Sequence, residues 1–141
     1  MQSSFLKGQF LGTLLWLVLS PEFMAQDLPM ILSSKTETTE TGLRIEFQFS
    51  SHVERADVSS WIEQKNWFIL NFYNLIRPSP NFFQNLSSYP IQDIQQNWSQ
   101  NSLQLSIQIS RSIGMFDVIL DDKNSTIIIV LTFQDLSLIH I

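Results

Sequence analysis

The chain has 141 residues, 44% of them hydrophobic and only 15% charged, so one domain with a neutral polar surface is expected. Its formal charge of −5 leaves no cationic field to hold a phosphate backbone, which argues against nucleic acid as a partner. Cys is absent, and with it disulfides, thiol nucleophiles and Cys-ligated zinc.

In chain order, Lys7 precedes an apolar run from Phe10 to Leu19, then Ser20 and Pro21. This reads as a secretory signal peptide over residues 1–25, cut between Ala25 and Gln26. The run is about half the ~20 residues a membrane-crossing helix requires, so the mature chain is expected to lie in the periplasm or cell envelope with no stable membrane span. No Cys follows the run to accept a lipid. Residues 26–41 are polar and lack an apolar period, which predicts a flexible linker.

From Gly42 the chain alternates strictly: Leu43, Ile45, Phe47 and Phe49 on one face, Arg44, Glu46 and Gln48 on the other. That is the period of a half-buried strand. A second alternation, Leu103, Leu105, Ile107 and Ile109 against Gln104, Ser106 and Gln108, follows 60 residues later. At the same ungapped offset Asp57-Val58 falls on Asp117-Val118, and the apolar run 67–73 falls on 127–133. Agreement across three segments points to an internal duplication. Each half reads as an alternating strand, a shorter extended segment, a turn and an apolar third strand. The turns are Glu63 to Asn66 and Asp121 to Ser125, the second closing a hairpin of Met115–Leu120 with Thr126–Phe133. Segment 58–62 fits either a strand or a helical turn. The third strands are nearly continuous in apolar residues, as expected for strands at sheet centres and buried on both faces. Residues 74–102, with Pro78, Pro80 and Pro90, read as a connecting loop holding a short extended piece near Tyr89 to Ile94.

The fold class predicted is all-β: a small β-sandwich of two pseudo-symmetric three-stranded halves over residues 42–133. The inward set is Leu43, Ile45, Phe47, Phe49, Leu105, Ile107, Ile109, Phe116 and Val118. The last six residues, Leu136 to Ile141, look like the translation of a transposase end sequence used in sequencing libraries. Residues 134–141 are thus expected to be a truncated end, with His140 an artefact.

No catalytic constellation is legible. His52 has Glu54 and Asp57 nearby, but without a second authentic His or a Cys it gives no zinc spacing. There is no Gly-x-Ser-x-Gly elbow and no phosphate-binding Gly-rich loop, and Asp121-Asp122 lacks the alternating ligands of a calcium loop. The expectation is no enzyme, no cofactor and no metal. Three Asn-x-Ser/Thr sequons, at Asn85, Asn97 and Asn124, are what this Asn- and Ser-rich composition produces by chance. Aromatic faces stack on sugar rings, and amides bond sugar hydroxyls or peptide groups. The candidate ligand-binding residues are therefore Trp61, Tyr73, Arg77, Tyr89, Trp98 and Arg111, with Gln48, Gln104 and Gln108 from the outward strand faces.

Two related β halves behind an export signal, with third strands Trp67-Phe68-Ile69-Leu70-Asn71-Phe72 and Ile127-Ile128-Ile129-Val130-Leu131, resemble the AMIN domain over about Gly42 to Phe133. That family is found ahead of cell-wall amidases and outer-membrane secretins. Many members carry an Arg leading into the strand that here begins Ser102-Leu103; this chain has none, so the contact of that Arg does not carry over. The resemblance implies a non-catalytic envelope-targeting domain that binds peptidoglycan, at the front of a longer protein whose remainder could be an N-acetylmuramoyl-L-alanine amidase. The alternative it implies is a protein-interaction domain of a secretin-type secretion or pilus assembly machine, where an exposed sheet edge would take up a partner's strand.

Overall fold

The structure, a computed structural model, describes residues 28–78, 82–83 and 86–134. The expected signal peptide and adapter residues lie outside these. The described chain forms eight strands: β1 (Ile31–Thr38), β2 (Gly42–Phe49), β3 (Val58–Glu63), β4 (Trp67–Phe72), β5 (Ile91–Ser99), β6 (Ser102–Ile109), β7 (Ile113–Asp121) and β8 (Thr126–Phe133). A 3-10 turn, Arg55–Asp57, precedes β3. The strands make two antiparallel four-stranded sheets, ordered β1-β2-β8-β7 and β3-β4-β6-β5. No helix among the described residues is long and apolar enough to cross a membrane.

The β2 and β6 alternations place Leu43, Ile45, Phe47, Phe49, Leu103, Leu105, Ile107 and Ile109 in one core. Phe116 and Val118 lie at its margin, half buried, because β7 is an edge strand covered on one side only. Aromatic contacts join the two sheets. Phe47 and Phe49 of β2 meet Phe72 of β4 edge to face at 5.9 and 5.5 Å between ring centroids, and Phe68 meets Phe116 at 5.2 Å. The apolar strands β4 and β8 occupy interior sheet positions as their composition predicts. Their outward residues Trp67, Asn71, Ile128 and Val130 are nevertheless only half buried, because no further layer among the described residues covers the outer faces.

Two segments depart from the sequence-based expectation. The polar segment expected to be a flexible linker contains β1, paired with β2 along its length. The loop expected between the halves contains β5, nine residues long, paired with β6. The halves therefore hold four strands each, not three. Segment 58–63 is a strand, entered from the 3-10 turn.

Register repeats with the sequence offset. Ile31 pairs with Phe49 and Ile91 with Ile109, and an irregularity follows in each ladder, between Ile31 and Ser33 and between Ile91 and Asp93. Beyond both strands the same backbone bond recurs, Ser50 N–H to Met30 O and Ser110 N–H to Pro90 O, each 2.9 Å. The halves interlock, since hairpin β1-β2 joins β8-β7 in one sheet while β3-β4 joins β6-β5 in the other. Neither half completes a sheet alone.

Candidate functional site

The outer face of the β3-β4-β6-β5 sheet is built by alternation. Phe68, Leu70 and Phe72 of β4, all four inward residues of β6 and the core-packed Val58, Ile62, Ile94 and Trp98 point into the sandwich. Their neighbours must face outward. Register then lines up three rows across the four strands: Trp61, Ile69, Ser106 and Gln95; Glu63, Trp67, Gln108 and Asp93; Ser59, Asn71, Gln104 and Asn97. Neighbouring strands lie ~4.8 Å apart, so each row spans about 14 Å.

This face carries two tryptophans, five amides and two serine hydroxyls. Trp61 and Trp67 are diagonal neighbours across the β3-β4 pair, which puts their backbones about 7–8 Å apart. Ile69 lies between them in the sheet and is buried at 3% exposure, yet it does not belong to the central core. Large outer-face neighbours are what can shelter it, Trp61 in its row and Trp67 two positions back on its strand. Trp61 Nε1–H donates to Glu63 Oε1 at 3.0 Å, which restrains that indole, and Gln95 Nε2 donates to Asp93 Oδ2 at 3.1 Å. The two charged residues of the face, Glu63 and Asp93, are both acidic and sit in one row. The tight β3-β4 turn that places the two tryptophans has Gln64 and Lys65 at φ of 52° and 71°.

Of the nine candidate residues, Trp61, Gln104 and Gln108 come together here. The other six lie elsewhere. Trp98 points inward from β5, its ring 5.3 Å from the Arg77 guanidinium and its Nε1–H bonded to Gln96 Oε1. Arg111 lies 4.4 Å over the Phe133 ring and donates to Glu40 O at 3.0 Å. Gln48 faces out from the opposite sheet and donates to Asn124 O at 2.8 Å, so its amide holds the β7-β8 turn. Tyr73 and Tyr89 are exposed where β4 ends and ahead of β5. Sequence reading missed Trp67 and Asn71 as site residues, because their strand reads as buried on both faces; the one polar residue in that run, Asn71, marks the outward parity.

His52 lies 3.3 Å from both Glu54 Oε1 and Asp122 Oδ1, tying the β2-β3 connection to the β7-β8 turn. The described residues hold no group of three or more His, Cys, Asp or Glu able to bind a metal ion. Asp121 and Asn124 serve the turn itself, with Asn124 N–H and Nδ2 donating to the Asp121 carboxylate. No family model matches the chain, and no curated protein matches its sequence.

Proposed function

We propose that this chain is a non-catalytic targeting domain of the cell envelope that binds peptidoglycan through the outer face of β3-β4-β6-β5. The observation that carries the reading is the placement of Trp61 and Trp67 beside Asn71, Gln104, Ser106 and Gln108 on one sheet face. Indole rings give apolar area to the faces of sugar rings, and the amides and hydroxyls around them bond hydroxyl and acetamido groups. Each such bond contributes about 0.5–1.5 kcal/mol net, so affinity comes from several acting together. A face without a basic residue suits a neutral chain of sugars and amides better than a phosphate polymer.

The same reading takes the chain as a duplicated unit of the AMIN type. The 60-residue offset shared by sequence, ladder register and the backbone bonds beyond β1 and β5 supports it. An export signal over residues 1–25 and a periplasmic site of action belong to this proposal.

The test is sedimentation of the purified chain with insoluble peptidoglycan sacculi at low and high salt, beside an unrelated acidic β protein. Retention above that control which survives salt and falls at least about tenfold in Trp61→Ala and Trp67→Ala is the expected result. Equal retention of the variants, or none of the natural chain, would overturn the proposal.

A further inference from the structure

An edge strand leaves half of its backbone N–H and C=O groups without a ladder partner, and natural sheets blunt such edges with charge, bulges or brevity. Four strands of this fold lie at edges. β1 shows Lys35 and Glu37 to solvent and confines its one exposed apolar residue, Leu32, to the ladder irregularity between Ile31 and Ser33; β5 shows Asp93, Gln95 and Asn97, and β3 is only six residues long. β7 is different. It runs nine residues, and its outward side chains include Met115 at 61% and Ile119 at 47% exposure. Its irregularity is confined to the start, between Ile113 and Met115, which leaves Met115 to Asp121 in continuous register with β8.

Asp117 stands between those two apolar residues and faces the same side. Its carboxylate makes no hydrogen bond or ion pair with a described residue. The basic residue in its row, Arg44, is two strands away across Val130 and lies 3.8 Å from Glu46 instead. On the inner side Phe116, Val118 and Leu120 pack against the core but remain partly exposed. From Met115 onward, past Ile113 whose N–H already donates to Lys65 O, the edge thus offers unpaired backbone, apolar contacts on both faces and the partnerless carboxylate of Asp117, the strand's other carboxylate, Asp121, being held by Asn124.

We propose that β7 is a docking edge for an extended segment of a partner protein, which adds as a fifth strand and sets apolar residues opposite Met115 and Ile119 and a Lys or Arg opposite Asp117. Charge selects this occupant over a second copy of the chain. β7 contains no basic residue, so self-pairing sets Asp117 against another carboxylate or an apolar side chain, and neither stabilises it. The inference is independent of the tryptophan face, which belongs to the other sheet.

The probe is a blocked nine-residue peptide of valine and threonine with a central lysine, compared with its central-glutamate counterpart by NMR titration of the full chain. The lysine peptide is expected to bind about tenfold tighter, since the change replaces cross-strand repulsion by attraction, and to protect β7 amides from hydrogen exchange. In Asp117→Lys the order of the peptides should reverse. In the milder Asp117→Asn the preference should vanish while binding persists. Equal affinities for the natural chain, no binding of either peptide, or a preference that survives both substitutions would overturn the proposal. So would self-association that protects β7 amides without peptide.

Discussion

Replacing Phe47 by Ala removes a side chain with 0% exposure from the centre of β2, where its ring meets Phe72 of the opposite sheet edge to face. Truncation of a buried Phe costs about 3–5 kcal/mol, from lost transfer energy and from the cavity left when neighbours relax only partly. Upper-range behaviour is expected, because the inter-sheet pair is lost as well and such pairs contribute about 0.5–1.5 kcal/mol beyond area burial. A loss of ~4 kcal/mol is a large share of the ~5–15 kcal/mol that stabilises a single domain. The assay is urea unfolding followed by Trp fluorescence, with the midpoint falling and the slope unchanged. Gln104→Ala, from an outward position of β6, should stay within about 0.5 kcal/mol of the natural chain. A double substitution with Phe72→Ala should recover about 0.5–1.5 kcal/mol of coupling. A Phe47→Ala cost below ~1 kcal/mol, or one equal to that of Gln104→Ala, would refute the register of β2 and the inter-sheet contact together.

Gly42→Ala should destabilise by about 1–3 kcal/mol or prevent folding, because a Cβ there collides with the Leu131 carbonyl oxygen of the adjacent strand. Gly114→Ala, whose nearest neighbour would be Gln134 Cα at 3.2 Å, should cost less in the same urea unfolding assay. Gln48→Ala should cost about 0.5–1.5 kcal/mol, since its amide donates to the Asn124 carbonyl, and hydrogen exchange should quicken in the β7-β8 turn before it does elsewhere. Arg111→Ala should lose about 0.5–1 kcal/mol in urea unfolding, with the cation over Phe133 and the bond to Glu40 O both removed.

The strands that the sequence displays are those with unbroken alternation, β2 and β6, and those with continuous apolar character, β4 and β8. The edges are hidden for a specific reason. In β1 the inward residues are Ile31 and then Ser34, and in β5 they are Ile91 and then Ile94, because a ladder irregularity shifts the parity between them. A period of two therefore fails to appear, and the exposed positions of β1 and β5, Leu32 apart, are polar residues that read as a loop. β7 carries the same shift after Ile113, but its apolar content keeps it visible. The tryptophan face was half legible. Trp61, Gln104 and Gln108 can be singled out as residue types, but the rows that join β3-β4 to β6 depend on strand order, which the sequence does not encode locally. Gln48 has the same outward parity as Gln104 and a different role, decided by a turn 76 residues away.

The most direct measurement of the central claim is an NMR titration of the isotopically labelled chain with soluble muropeptide fragments, following the indole N–H signals. The Trp61 and Trp67 signals are expected to shift with the side-chain amides of Asn71, Gln104 and Gln108, while Trp98, turned inward from β5, stays unmoved. Shifts confined to Trp98 or to the β7 edge, or no shifts at saturating ligand, would contradict it.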